Sequence, residues 1–306
     1  MNLNQIIAFC AVVRAGSISK AAKHLHLTQP ALSVQIQDLE EYFQTKLLER
    51  TNRGVTPTVA GEVAFSYGQR ITSLSENLLN EIKTQKNINN DLLAIGASTT
   101  IGGYALPCSI YTFREKHPQS IIKLTIGNTK EIIEKTEDGI LDIGLVEGPL
   151  HEGTLKGELI AKNICTDELV LITGSNSNNL GNGEYVTLDE LKTLPLILRE
   201  EGSGIRETIE IALEKNNVFI EELKTVMELN TIEAIKSSVE AGQGVSILSR
   251  LAIRKELRHG TLKAFKVEGI SFAHNFTVIY SDVKPKTLVQ KTFLDFIKCP
   301  RSRSFC

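Results

Sequence analysis

Apolar residues recur at intervals of three and four along residues 15–40, which is the spacing of amphipathic helices. In residues 19–25 the small and apolar side chains share one face. Thr28 is a favourable N-cap, and Pro30 follows it in the first turn, where a missing backbone N–H costs little. The pattern predicts two short helices joined by a tight turn, with the second helix beginning at about Gln29.

The second helix has an apolar stripe formed by Leu32, Ile36 and Leu39. Its opposite face is polar and uncharged apart from Asp38. Hydroxyl and amide side chains both donate and accept hydrogen bonds, so they suit base edges in a major groove. The candidate DNA contacts on this face and at the N-terminal end of the helix are Thr28, Gln29, Pro30, Ser33, Val34 and Gln37. A surface helix of a three-helix bundle is the alternative.

A turn signal at residues 52–54 separates two short extended segments, which predicts a wing beside the two helices. Arg50 and Arg53 are placed to contact phosphates or the minor groove, which supplies affinity but little base information. An ion pair between Arg50 and a neighbouring carboxylate is the alternative.

One long helix without proline is predicted from Thr58 onward. Its apolar residues are spaced as in a heptad, at Ala60, Ala64, Tyr67, Ile71, Leu74 and Leu78. So narrow a stripe packs on one other helix more readily than on a broad core, so we expect a homodimer through this segment. Docking of the helix on the chain's own C-terminal domain is the alternative.

Beyond residue 91, apolar strand-like runs alternate with helical segments. This alternation predicts mainly parallel sheets covered on both faces, with enough strands for two α/β subdomains. The fold class is therefore α/β, with a winged helix-turn-helix and a long linker helix before a two-subdomain domain. Residues 87–91, polar and without periodicity, form the expected hinge.

A ligand site is expected at the carboxyl ends of these strands, beside the N-termini of the following helices. Ser98, Thr99 and Thr100 lie where a strand ends and a helix begins, which favours a small anion. No GK[ST] ending or GxGxxG pattern is present, so a nucleoside triphosphate loop is excluded. An ordinary Ser/Thr cap without a ligand is the alternative.

The opposite wall of this site is expected to hold Ser203, which starts a helix within a Gly-Ser-Gly sequence. Candidates of second rank are Glu147 at a strand end, and Asn230 and Thr231 before a helix. An unpaired Glu147 would repel an anion, and Arg199 or Arg206 are the basic residues that would offset it.

Charge and cysteine content narrow the class of protein. The net charge is −2, but residues 1–90 are slightly basic and the remainder is acidic, which fits DNA binding at one end. The five cysteines include no CxxC pair, and the histidines lack metal-binding spacing, so we expect no structural zinc, no cofactor and a reducing, cytoplasmic compartment. Cys10 and Cys108 lie in helical apolar patterns as expected core residues. No stretch is long and apolar enough to cross a membrane.

Residues 9–61 resemble the winged helix-turn-helix of LysR-type transcriptional regulators. The resemblance is carried by Ala21, Ala22, Leu25, Gln29, Pro30, Ala31, Ser33, Gln35, Ile36, Leu39, Glu40, Leu47, Arg50, Thr56, Thr58, Ala60 and Gly61. Three positions depart from the family pattern: Val34 replaces a common basic residue, Gln44 a common Gly and Leu48 a common Phe. Val34 offers an apolar contact to a thymine methyl group instead of a phosphate or guanine contact.

The rest of the chain resembles the periplasmic-binding-protein-like effector domain of the same family. The resemblance implies a DNA-binding domain, a dimerising linker helix and an effector domain at 1–58, 59–90 and 91–306, with subdomain I at 91–165 and 266–306 and subdomain II at 166–265. It also implies that the Ser98–Thr100 turn contacts an effector. A similar turn occurs in the sulfur-assimilation and carbon-fixation branches, which suggests a sulfur-containing or central-carbon anion.

We therefore expect a ligand-responsive transcription factor without catalytic residues. Its expected partners are promoter DNA, a small anionic metabolite and further copies of the chain in a homodimer or homotetramer, with RNA polymerase a further candidate. The alternative is an enzyme with an appended helix-turn-helix, although no Walker lysine, GxSxG or HExxH motif is present. A solute-binding protein is disfavoured by the helix-turn-helix.

Overall fold

The computed structural model describes residues 1–51, 54–86, 92–151, 153–155, 159–176, 183–282 and 287–297. Two compact units divide the chain: Met1–Asn89 with Asp138–Ile140, and Asn90–Glu137 with Leu141–Cys306. Each unit has its own buried apolar core. None of the described helices is long and apolar enough to cross a membrane.

The first unit contains a winged helix-turn-helix. Its described elements are α1 (Leu3–Ala15), α2 (Ile18–His24), α3 (Gln29–Phe43), β1 (Leu48–Thr51), β2 (Gly54–Pro57) and α4 (Val59–Lys86), with β1 and β2 antiparallel. Thr28 caps α3, because its Oγ1 atom accepts a hydrogen bond of 3.3 Å from the backbone N–H of Ala31. His26 has a φ of 55°, so the chain turns between α2 and α3 where the sequence predicts it. The predicted helix-turn-helix is confirmed.

The inner face of α3 forms the centre of this unit's core. Leu32, Ile36 and Leu39 are all buried, as the apolar stripe predicts. They belong to one cluster with Phe9 of α1 and Ala21 of α2. Burial of a side chain the size of leucine contributes about 1.5–3 kcal/mol, so apolar contact holds the three helices together.

The carboxyl group of Glu40, at the end of α3, holds the start of the wing. Its Oε1 atom accepts hydrogen bonds from the backbone N–H groups of Leu47 at 2.9 Å and Leu48 at 3.2 Å. Its Oε2 atom lies 2.6 Å from Lys46 Nζ. Burial raises the pKa of Glu40, but these hydrogen bonds outweigh that effect and keep the pKa below its usual value. The wing therefore depends on an ionised carboxylate.

The linker helix α4 packs its beginning on the core and exposes most of its apolar stripe. A Cβ atom on Gly61 would overlap the carbonyl oxygen of Leu47, so only glycine permits this close approach to the wing. Ala60 and Ala64 contact the core. Further along, the apolar side chains are between 37% and 60% exposed: Tyr67, Ile71, Leu74 and Leu78.

The second unit alternates strands and helices. Its described elements are β3 (Leu92–Ser98), a π-helical turn (Ile101–Ala105), α5 (Leu106–Lys116), β4 (Ile121–Gly127), α6 (Thr129–Glu137), β5 (Ile143–Glu147), β6 (Leu159–Gly174), β7 (Tyr185–Val186), α7 (Leu188–Thr193), β8 (Leu196–Arg199), α8 (Gly204–Glu214), a 3-10 turn (Ile220–Glu222), β9 (Thr225–Leu229), α9 (Ile232–Glu240), β10 (Ser246–Ser249), α10 (Arg254–His259), β11 (Leu262–Val267), β12 (Ala273–Ser281) and α11 (Leu288–Ile297).

The sheets of this unit are mixed, so the prediction of mainly parallel sheets is wrong. The strand order is β4-β3-β5-β12-β6-β11-β7, with β10 also paired to β6, and β8 pairs with β9. β3 is parallel to β4 and β5, and β8 is parallel to β9. By contrast, β12 is antiparallel to β5 and β6, and β6 is antiparallel to β10 and β11. The antiparallel pairs arise because the long strand β6 runs through both halves of the unit and β12 returns alongside it.

Among the described residues of the second unit, the two largest apolar cores belong one to each α/β subdomain. Ile164 and Cys165, in the first part of β6, pack against the core that contains β3 and β5. The last part of β6, from Leu169 to Ile172, belongs to the core that contains β8 and α8. The predicted fold class is confirmed, while the residue limits given above for the domains remain predictions.

The described cysteines differ from one another in their surroundings. Cys10 is a buried free thiol, as expected, and Cys165 is a half-buried free thiol. Cys108 is exposed on α5 and disulfide-bonded, so the expectation of a small core residue is wrong there. Disulfides are atypical of a reducing compartment. The disulfide of Cys108 therefore does not support the prediction of a reducing, cytoplasmic compartment.

Replacement of Glu40 by Gln tests whether its carboxylate holds the wing. We expect Glu40→Gln to lower the opening free energy of the Leu47 and Leu48 amides by about 1–2 kcal/mol at pH 7, because hydrogen bonds to a charged group are lost. Hydrogen exchange of these two amides in the full chain measures the effect, and Glu41→Gln, on the exposed side of α3, is the control.

The difference in amide protection between wild type and Glu40→Gln should depend on pH in a defined direction. Since the folded chain has the lower pKa, ionised Glu40 stabilises the wing fully above the unfolded value of about 4.3 and loses this effect as the pH falls through the lowered value. The difference between wild type and Glu40→Gln should therefore shrink with acidification. Equal amide protection in the two proteins at pH 7 would contradict this role.

Candidate DNA-binding surface and effector site

The polar face of α3 lies at the protein surface within the first unit. Thr28, Gln29, Pro30 and Gln37 are exposed, and Ser33 is half-buried. Val34 is 55% exposed although it is apolar. The face thus has the exposure that base contacts require, and the residues opposite it are the ones buried in the core.

Two basic side chains on α2 are further candidate DNA contacts that the sequence analysis did not predict. Lys20 and Lys23 are exposed on α2, the first helix of the helix-turn-helix, where such helices cross the phosphate backbone. Their sequence signal was the pair of basic residues within a short helix. Of the predicted wing contacts, only the backbone of Arg50 is described, and Arg53 lies outside the described residues.

The predicted effector turn lies beside Glu147 at one edge of the sheet. β3 ends at Ser98 and β5 ends at Glu147, and these two parallel strands are neighbours. The backbone N–H of Thr100 donates a hydrogen bond of 3.4 Å to Glu147 Oε1. The geometry therefore brings Ser98, Thr99, Thr100 and Glu147 together.

Arg199, at the end of β8, joins the second subdomain to this turn. Its Nη1 atom donates a hydrogen bond of 2.8 Å to Thr99 Oγ1. Its Nε and Nη2 atoms contact the two carboxylate oxygens of Glu200 at 2.8 and 2.9 Å. Only 1% of Arg199 is exposed, so this guanidinium group is buried where the two subdomains meet.

Ser203 reaches the same place from the start of α8. A Cβ atom on Gly204 would overlap the carbonyl oxygen of Glu147, so the Gly-Ser-Gly sequence lets α8 begin directly against the end of β5. That carbonyl oxygen also accepts a hydrogen bond of 2.8 Å from Thr129 Oγ1. Ser203 is therefore placed at the boundary of the two subdomains, and its role in the opposite wall of an effector site stays a prediction.

Four oxygen atoms of these residues are buried and have no hydrogen-bond partner among the residues that the structure describes. They are Ser98 Oγ, Thr100 Oγ1, Ser203 Oγ and Glu147 Oε2, and each of these residues is at most 2% exposed. Burial of a polar group without a hydrogen bond costs on the order of 1–3 kcal/mol. So many unsatisfied oxygens at one boundary are typical of a site whose hydrogen bonds a ligand completes.

Asn230 and Thr231, the other two weaker candidates, form no hydrogen bond with Ser98, Thr100, Ser203 or Glu147 among the described residues. Asn230 and Thr231 are exposed, and Thr231 Oγ1 accepts a hydrogen bond of 3.2 Å from the backbone N–H of Ala234. Thr231 is therefore the N-cap of α9.

Tyr104 connects the π-helical turn to α9, which sequence reasoning did not predict. Its hydroxyl group donates a hydrogen bond to Glu233, and its ring lies 5.2 Å from Nζ of the buried Lys236. Burial raises the pKa of Tyr104 to about 12, and the hydrogen bond to Glu233 adds to the rise. Lys236 also pairs with Glu256 at 2.8 Å. Tyr104 therefore links the π-helical turn of the first subdomain to α9 of the second.

The described residues contain no group of three or more His, Cys, Asp or Glu side chains that could hold a metal ion. The candidate site consists of the hydroxyl groups described above, the carboxyl groups of Glu147 and Glu200, and the guanidinium group of Arg199.

Two family models match almost the whole chain. The model of the LysR substrate binding domain matches residues 88–299. The model of the bacterial regulatory helix-turn-helix protein of the lysR family matches residues 3–62.

Curated relatives are similar over nearly their full length. A "Probable RuBisCO transcriptional regulator" of Gracilaria tenuistipitata var. liui is 33% identical over 291 residues, which cover 95% of this chain and 94% of that protein. Its counterpart of the same name from Cyanophora paradoxa is 34% identical over 279 residues, covering 91% and 85%.

Solved structures share the fold. CbnR, a LysR family transcriptional regulator, has a TM-score of 0.70 at 21% identity, covering 97% of this chain and 98% of CbnR. The regulatory domain of CcmR from Synechocystis PCC6803, in complex with 2-PG, has a TM-score of 0.60 at 23% identity, covering 68% and 95%.

The named relatives are transcription regulators and not enzymes, so an enzyme with an appended helix-turn-helix is not supported. The two family models together leave only short segments unmatched, and the order of the domains agrees with the structure. The chain therefore belongs to the LysR family of transcriptional regulators.

Proposed function

We propose that a small anionic metabolite binds at the boundary of the two subdomains and changes how this regulator binds or bends promoter DNA. The observation that carries the proposal is the buried cluster of unpartnered oxygens on Ser98, Thr100, Ser203 and Glu147. These atoms come from both subdomains, so a ligand that contacts them favours one arrangement of the subdomains over another.

The proposed DNA contacts are the predicted set on α3 and the wing, extended by α2. Gln29, Ser33 and Gln37 would read base edges, Val34 would contact a thymine methyl group, and Arg50 and Arg53 would bind phosphates or the minor groove. Support comes from the exposure of the α3 face. CbnR has been solved in full length with its target DNA, and its likeness to this chain shows the shared fold.

A homodimer or homotetramer is proposed from α4. Tyr67, Ile71, Leu74 and Leu78 leave an apolar stripe exposed on this helix, which fits a second copy of the same helix. Two copies would present two α3 helices to a two-fold symmetric site. Contact with RNA polymerase and a cytoplasmic location are further parts of this proposal.

The relatives and neighbours suggest the kind of gene and effector. Two relatives are named as RuBisCO regulators, and the CcmR regulatory domain was solved with 2-PG. We therefore place the target promoters in carbon fixation and the effector among small central-carbon anions.

Substitutions on α3 and α2 separate base contacts from phosphate contacts. Selection from random duplexes supplies the preferred site for the full chain. Gln37→Ala should weaken binding to that site by about 1–3 kcal/mol and relax base preference, because a base contact is lost. Lys20→Ala should weaken binding to all duplexes alike and reduce the salt slope by about 1. Unchanged affinity and base preference in Gln37→Ala would contradict the proposed orientation of α3.

Thr100 has a buried hydroxyl group for which the described residues offer no hydrogen-bond partner. Thr100→Val keeps the side-chain shape and should abolish the effector response of DNA binding, while affinity for DNA without effector is retained. Gel shifts with 2-PG, phosphate and sulfate measure both properties. Thr136→Val is the matched control, because the Thr136 hydroxyl is satisfied by the carbonyl oxygen of Ile132 at 2.7 Å. Loss of both properties in Thr100→Val would count against the site.

A further inference from the structure

The charges at the proposed effector site do not simply favour an anion. Arg199 is the buried cation of the site, and two of its nitrogen atoms contact both oxygens of Glu200. Such a bidentate pair largely neutralises the guanidinium charge as seen by a third group. Its third nitrogen donates to Thr99. Arg199 therefore adds little net positive charge.

Arg206, the other basic residue considered for this role, is also paired. Its Nε atom lies 2.8 Å from Glu210 Oε1, and its Nη1 atom contacts Glu228 and the carbonyl oxygen of Arg199. Burial lowers the pKa of Arg206, but the hydrogen bonds that it donates to Glu210 and Glu228 outweigh this effect and raise the pKa above its usual value. Arg206 stays charged, and its charge is balanced by its own glutamates.

Glu147 is the carboxyl group that these pairs leave uncompensated. Oε1 accepts a weak hydrogen bond from the backbone N–H of Thr100, and Oε2 is buried without a partner within the described part of the chain. No lysine, arginine or histidine among the described residues forms an ion pair with it. A buried carboxylate in this position attracts a hydrogen-bond donor and repels a second carboxylate.

We infer that the effector is an acid that also carries a hydrogen-bond donor, a hydroxyl or an ammonium group, which contacts Glu147 Oε2. The acid group binds the hydroxyl groups of Ser98, Thr100 and Ser203, and the donor satisfies Glu147. Sites built around a buried hydrogen-bonding group reject ligands that lack its partner, because the group then stays unpaired. This inference rests on the proposed function and adds the role of Glu147 in specificity.

Matched acids test the inference with the full-length protein. Calorimetric titration compares propionate, lactate and alanine, and then succinate, malate and aspartate; in each set the first acid lacks the donor, the second has a hydroxyl and the third an ammonium group. In at least one set we expect a donor-bearing acid to bind about tenfold or more tightly than its parent acid. Whether lactate and malate or alanine and aspartate bind tells which donor is used.

Two variants assign the preference to Glu147. Glu147→Gln should reduce the preference for the donor-bearing acid to less than about threefold. Glu201→Gln removes the same charge from an exposed neighbour and should retain the preference. Circular dichroism and DNA affinity check that both variants are folded. The comparison of the six acids with the wild-type protein does not depend on either variant.

Three results would overturn the inference: parent acids that bind wild type as tightly as donor-bearing acids, a preference that survives in Glu147→Gln, or no binding of any of the six acids. A failure of the proposed function gives a different result from a failure of this inference. In that case an acid that binds would leave promoter DNA affinity and bending unchanged.

Discussion

The contact between Arg199 and Thr99 is the constraint on which the effector domain depends. It joins the end of β8 in one subdomain to the turn after β3 in the other, between the buried Arg199 and the half-buried Thr99. Because the guanidinium group is paired with Glu200 at the same time, breaking the contact would leave buried donors unsatisfied. The boundary between the subdomains is therefore polar and ordered, and a ligand must be accommodated among its existing hydrogen bonds.

The helix-turn-helix was predictable from sequence because its signals are local. Thr28, Pro30 and the stripe of Leu32, Ile36 and Leu39 lie within a dozen residues, and each acts on the helix that contains it. The position of Ser98 to Thr100 was predictable for a similar reason, since these residues follow one strand directly. Their position near Glu147 followed from the rule that the carboxyl ends of neighbouring parallel strands meet at one edge of a sheet, and their contact with an effector stays a prediction.

The remaining features depend on contacts between distant parts of the chain. The alternation of strands and helices did not reveal that β6 continues through both subdomains or that β12 pairs beside it, because strand pairing is set by partners far away in sequence. β7 has only two residues, which is too short for an apolar pattern in the sequence to indicate a strand. The pairing of Arg199 with Glu200 and the link from Tyr104 to Glu233 also required the folded arrangement.

Reciprocal binding measurements test the central claim, that the subdomain boundary and the DNA-binding face are energetically coupled. The affinity of the full-length protein for its selected DNA site is measured with and without the acid that binds most tightly, and the affinity for that acid is measured with and without the DNA. Coupling requires both affinities to change by the same factor, and allosteric coupling between two binding sites typically amounts to a factor of about 5 to 150. If acid and DNA bind independently, with a factor of one in both directions, the account is contradicted.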